Sequence, residues 1–192
     1  SNIWIITCIS ATKQTIKDTI YELSKADGTV IGRATTDSTG NLTFYDLYQN
    51  DYVLKEIKSN DDYVISQEKI NIKAKYNKVT ELTLENKHKT GNLKVYKVDK
   101  DNHKISLGNV EFDLYSEEFK KVIGTYRTNV DGEIKVEGLR TGNYKWIEKT
   151  TNKYYNLGED TEVKVEWEKT NESLIENELK KGTYTVSYSR RH

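Results

Sequence analysis

Apolar and polar residues alternate in short runs along nearly the whole chain, with a period of two. That period turns one side of an extended segment toward a core and the other toward water. Runs at residues 3–9, 20–23, 29–35, 41–47, 52–57, 63–65, 68–73 and 79–85 therefore predict strands. In the fourth run Leu42, Phe44 and Leu47 are the inward residues. Asp27-Gly28 and Asp37-Ser38-Thr39-Gly40 supply turns between runs. No stretch carries a helical period with caps, and residues 9–20 are the only ambiguous ones.

The order of these runs repeats. Glu111-Phe112-Asp113-Leu114 matches Ile20-Tyr21-Glu22-Leu23, and the turn Asn129-Val130-Asp131-Gly132 matches Asp37 to Gly40. The segment 139–148 matches 47–56, and Leu174-Ile175-Glu176-Asn177 matches Thr83-Leu84-Glu85-Asn86. Glu56 and Glu148 are 92 residues apart, and Asn86 and Asn177 are 91 apart. A fixed period means a tandem array. The expected division is one module over 1–88, a second over 91–181, and a tail over 182–192. Lys181-Gly182-Thr183-Tyr184-Thr185-Val186 loosely echoes the start of the second module, so the tail reads as the start of a third copy or a plain end.

Composition narrows the class of protein. Lys plus Arg and Asp plus Glu each number 30, so no net charge points to nucleic acid or an acidic membrane surface. No run approaches the ~20 apolar residues of a membrane-spanning helix. Cys8 is the single cysteine, which excludes a disulfide within the chain. A small extracellular β-domain usually needs a staple, and here it would be of another kind.

One strand breaks the apolar pattern. In Gly91-Asn92-Leu93-Lys94-Val95-Tyr96-Lys97-Val98-Asp99, Leu93, Val95 and Lys97 share a face. A lysine there must snorkel to the rim or find partners, because a lone buried ammonium is costly. This strand, followed by Leu107-Gly108-Asn109-Val110-Glu111-Phe112-Asp113-Leu114, resembles the start of the collagen-adhesin B-type repeat. That family is the prealbumin-like module of Gram-positive surface adhesins and pilins. The Asp131-Gly132 turn, Gly142-x-Tyr144-x-x-x-Glu148 and Glu176-Asn177 complete its pattern.

The resemblance implies an all-β fold: two tandem immunoglobulin-like, prealbumin-like antiparallel sandwiches. It also implies an intramolecular isopeptide bond, with Lys97 the nucleophile, Asn177 the source of the carboxamide carbon and Glu148 the acid/base. Burial favours the neutral, nucleophilic amine, and contact within one fold makes the reaction intramolecular. The alternative is a buried Lys97–Glu148 ion pair with Asn177 merely hydrogen-bonded. In the first module Glu56 and Asn86 stand where Glu148 and Asn177 stand. Counting back by the repeat puts Ile6 at the lysine's place, or Thr7 or Cys8 if a small gap intervenes. Lys13 and Lys17 fall in the next connection and are expected in water. The first module should therefore carry no bond, with Glu56 either protonated in an apolar pocket or turned to solvent.

The remaining chemistry is thin. Cys8 is read as a buried thiol and not as half of a thioester. Asp99, Asp101 and Asn102 lack full calcium-loop spacing and read as a polar turn. The histidines are scattered, and no phosphate loop or nucleophile elbow appears. No cofactor, metal or enzymatic turnover is expected. The expected role is a stalk module of a cell-wall-anchored adhesin or pilin, extracellular and anchored through a region outside these residues. Its partners would be neighbouring modules, with host matrix or other cells met through another domain. The alternative role is a ligand- or glycan-binding module that uses Tyr45, Tyr48, Trp146, Tyr154 and Tyr155. Exposed, clustered aromatics would favour it; aromatics in the cores would favour the stalk.

Overall fold

A computed structural model describes residues 2–182, 186, 187, 189 and 190, with the backbone alone for Asn2. The chain divides into two compact units between Lys89 and Thr90. Residues 183–185 of the echo at the tail lie outside the described residues. Among the described residues every regular element is a strand.

Unit 1 comprises β1 (Asn2–Ser10), β2 (Ile20–Lys25), β3 (Val30–Thr35), β4 (Asn41–Leu47), β5 (Asn50–Lys58), β6 (Lys69–Ala74) and β7 (Val79–Asn86). They form two sheets, ordered β4-β1-β7 and β3-β2-β5-β6. Unit 2 repeats this with β8 (Thr90–Asp99), β9 (Glu111–Ser116), β10 (Lys121–Arg127), β11 (Glu133–Arg140), β12 (Gly142–Thr150), β13 (Thr161–Val165) and β14 (Thr170–Asn177). Its sheets are β11-β8-β14 and β10-β9-β12-β13. In each unit the inward rows of the two sheets make one core. In unit 1 it holds Ile6, Tyr21, Leu23, Leu42, Phe44 and Leu54. In unit 2 it holds Leu93, Val95, Phe112, Leu114, Tyr144 and Trp146. Leu42 and Phe44 point inward as alternation requires, and Leu47 is buried beside them because the register against β1 shifts between Phe44 and Leu47.

Two features depart from the alternation pattern. Residues 63–65 form no strand; Tyr63 makes one isolated bridge to His88. The backbone there is spent otherwise: Tyr63 N–H donates to Asn60 O, and Ser66 N–H donates to the Glu56 carboxylate. Within residues 9–20, Ile9 and Ser10 end β1, Ile20 begins β2, and the chain between them is a connection, with a bridge between Ile9 and Thr15 and with Ile16 buried. The sheets are also not wholly antiparallel. The first and last strands of each unit lie side by side and parallel: β1 on β7, and β8 on β14.

Candidate functional site

The alternation that packs β12 also delivers its glutamate. Tyr144, Trp146 and Glu148 are the inward residues of that strand, and all three are buried. On β8 the inward row runs Leu93, Val95, Lys97, Asp99. On β14 it ends with Ile175 and Asn177. The parallel register sets Ile175 opposite Lys97 and Asn177 opposite Asp99. Asn177 thus lies two residues further along than Lys97, roughly 6–7 Å at the rise of a strand. The four methylenes of a lysine suit that span.

The side chains of Lys97 and Glu148 are wholly buried, with Nζ 3.4 Å from Glu148 Oε1. Nζ also donates to the Ile175 carbonyl at 3.3 Å. Asn177 Nδ2 donates to Glu148 Oε2 at 3.1 Å and to Thr151 Oγ1 at 3.0 Å. Gly158 N–H makes a short bond to the same Oε2. One carboxylate therefore bridges the amine and the carboxamide, one oxygen toward each. Asn177 Oδ1 is buried and accepts no hydrogen bond; its neighbour is Gly158, where a Cβ would come within 2.8 Å. Burial pushes the Lys97 ammonium below its ordinary value, and the adjacent Glu148 opposes that shift without cancelling it. The structure thus brings together Lys97, Glu148 and Asn177.

Thr151, Tyr155 and Gly158 also belong to this site, and none was picked out as such from the sequence. All lie in the 151–160 connection between β12 and β13, where no periodicity marks an inward residue. Asp99 belongs to the polar turn that the sequence predicts: its Oδ1 accepts from the N–H groups of Asp101 and Asn102. Its Oδ2, however, accepts from the buried Tyr155 hydroxyl at 2.9 Å. The signal available was its place on the same inward row as Lys97.

Unit 1 holds the counterpart. Glu56 and Asn86 are buried, and Asn86 Nδ2 donates to Glu56 Oε1 at 2.7 Å. Ser66 N–H donates to Oε2 at 3.0 Å. The lysine's place is taken by Cys8, which corrects the plain count to Ile6. Asn86 pairs with Ser10, so Cys8 precedes that position by two residues, as Lys97 precedes Asp99. The backbone agrees: Cys8 N–H donates to Gly40 O at 2.8 Å, and Lys97 N–H to Gly132 O at 2.7 Å. Both glycines have positive φ, and at each a Cβ would strike the carbonyl oxygen of Cys8 or Lys97. The count slipped because the connection after β1 is two residues shorter than the one after β8. Lys13 and Lys17 are exposed.

Cys8 is a free, buried thiol that receives a weak bond from the Tyr21 hydroxyl at 3.8 Å. Burial raises its pKa. Burial likewise raises that of Glu56 above the ordinary carboxyl value, only partly offset by Ser66 and Asn86. Among the described residues no three of His, Cys, Asp and Glu are placed to hold a metal. The aromatics split: Trp146 and Tyr155 are in the core, while Tyr45, Tyr48 and Tyr154 are exposed.

Comparison with known proteins places this architecture. The family model for the SpaA prealbumin-like fold domain matches residues 4–88 and 91–181. A solved structure of the Bacillus anthracis TIE protein superposes with a TM-score of 0.82 at 23% identity, over 92% of this chain and 34% of that one. This chain therefore spans about a third of that protein's length. The minor pilin GBS52 of Streptococcus agalactiae is 22% identical, with a TM-score of 0.49 over 98% of this chain and 100% of that one. No curated protein matches.

Proposed function

Since this chain belongs, in both of its units, to the SpaA prealbumin-like fold domain family, we propose that it is a stalk segment of a surface adhesin or pilin whose second unit is closed by a Lys97–Asn177 isopeptide bond. The single observation that carries this reading is the Glu148 carboxylate, set between the Lys97 amine and the Asn177 carboxamide inside the buried core. The neutral Nζ attacks Asn177 Cγ, and the Cγ–Nδ2 bond breaks. One proton passes from Nζ to Nδ2, which leaves as ammonia. Glu148 touches both nitrogens and is the relay between them. Holding the three groups in one core replaces a slow intermolecular aminolysis. The reaction occurs once per chain and has no turnover.

The role is mechanical: a stiff, protease-resistant spacer at the cell surface, attached through regions beyond these residues and contacting neighbouring modules. Trp146 and Tyr155 support it, since both serve the core and not a contact surface. Intact mass tests the bond. The wild type should weigh one ammonia less than its sequence, and Lys97→Ala and Glu148→Ala should each have full mass while remaining folded. A wild type of full mass would leave Lys97 and Glu148 as a buried ion pair.

A further inference from the structure

We propose that Asp99 and Tyr155 act as a latch that positions Asn177 and Glu148 for the cross-link, by fastening the 151–160 connection across the ends of β8 and β14. The inference rests on the cross-linking reading above. Two contacts on the reacting groups come from that connection: Thr151 Oγ1 accepts from Asn177 Nδ2, and Gly158 N–H donates to Glu148. Neither residue lies in a strand, so no ladder fixes them. Tyr155 sits between the two and is buried. Its hydroxyl reaches Asp99, the residue directly opposite Asn177 in the parallel register.

Both ends of this hydrogen bond are held. The Asp99 carboxylate is aimed by its own turn, through the N–H groups of Asp101 and Asn102. The tyrosine's backbone bridges to Leu179, Asn156 N–H donates to Glu178 O, and Lys180 N–H donates to Tyr154 O. The connection is therefore clipped to the chain just beyond Asn177 and, through one phenol, to the strand that carries Lys97. A hydroxyl–carboxylate bond is of the stronger, charge-assisted kind. Tyr155 also holds the Asp99 carboxyl below its ordinary value, which keeps the acceptor charged.

Unit 1 is the internal control. Ser10 stands opposite Asn86, where Asp99 stands opposite Asn177. Its Oγ is engaged locally, with Thr12 Oγ1 and Gln14 N–H. Tyr63 occupies the place of Tyr155, with the same bridge to the chain beyond the last strand, and lies against the His88 ring at 4.2 Å. The unit without the lysine also lacks the carboxylate of the latch. Asp99 and Tyr155 are positioning residues: they bond to each other and not to the reacting groups, and their effect passes through Thr151 and Gly158.

The test follows full-length chains from cell-free synthesis by intact mass over time. Tyr155→Phe keeps the ring and removes one hydroxyl. It should slow the loss of ammonia by about tenfold to a hundredfold, the cost of roughly an ångström of misplacement. Asp99→Asn, which retains an acceptor oxygen, should fall between Tyr155→Phe and wild type. In a Lys97→Ala background, where no bond can form, Tyr155→Phe should leave unit 2 folded, as judged by near-UV dichroism. A wild type that never loses ammonia would overturn the cross-link and the latch together. A wild type that does, matched within twofold by Tyr155→Phe, would overturn the latch alone. An unfolded unit 2 in the Lys97→Ala, Tyr155→Phe chain would assign the tyrosine to folding and also overturn it.

Discussion

Both units bury a glutamate against an asparagine from the last strand, but they settle the carboxylate in different ways. In unit 2, Asn177 and Gly158 share Oε2 and the other oxygen faces the Lys97 amine. In unit 1, Ser66 N–H and Asn86 Nδ2 take one oxygen each, and the place of the amine is filled by the Cys8 thiol. With only neutral donors around it, the buried Glu56 carboxylate is driven toward its protonated form, and its raised pKa reflects this. One position on the first strand thus decides whether the same glutamate–asparagine pair meets an amine or a thiol.

The largest expected effect breaks unit 2 down to the level of unit 1. Lys97 and Asn177 are 80 residues apart in the chain. By analogy with disulfides, a cross-link closing such a loop contributes about 4–5 kcal/mol through the unfolded state. Calorimetry on the wild type should show two transitions, with unit 1 melting first. Lys97→Ala should lower the upper one and leave the lower one in place.

The second experiment raises unit 1 toward unit 2. Cys8→Lys places an amine at the equivalent site, and Ser10→Asp adds the carboxylate that faces Tyr155 in unit 2. The double variant should lose a second ammonia, and faster than Cys8→Lys alone. A cavity of about 30 Å³ beside Glu56 absorbs only part of the added volume. Overpacking of about 1–3 kcal/mol should therefore show in chains that have not yet reacted. A mass deficit that stays at one ammonia in both variants would show that more than these positions separates the units.

Cys8 offers a smaller, kinetic measure of the difference. Its side chain is fully buried and its pKa raised, so a thiol reagent should reach it only when unit 1 opens. Labelling should be unchanged by Lys97→Ala, because Lys97 lies in the other unit.

The smallest effect is a pH dependence. The folded-state pKa of Glu56 lies above the unfolded value of about 4.3. Its contribution to stability is therefore full below that value and is lost as pH rises through the folded pKa. The unit 1 transition should soften from mildly acid to neutral pH in the wild type. Glu56→Gln should flatten that slope; equal slopes would place the titration elsewhere.

Most of this arrangement is legible in the sequence. Alternation alone sorts Tyr144, Trp146 and Glu148 onto one face, and the repeat lines up Glu56 with Glu148 and Asn86 with Asn177. What was not legible depends on chain between strands. A two-residue difference after the first strand shifted the lysine's counterpart from Ile6 to Cys8, because counting assumes equal connections. Residues 63–65 looked like a strand, yet their backbone groups serve a turn, a single bridge and a carboxylate. Thr151 and Gly158 carry no periodic signal, since irregular backbone has no face. The parallel pairing of first and last strands is likewise a property of topology, invisible to local patterns.

That parallel pairing has a consequence for load. A tension applied at the start of β1 and at the end of β7 draws the two strands past each other lengthwise. The ladder from Ile3 opposite Val79 to Ser10 opposite Asn86 is then strained all at once. An antiparallel pair pulled from its adjacent ends would instead unzip, one rung after another. Unit 1, where a thiol stands in the amine's place, meets an axial pull in shear, the orientation in which every rung shares the load.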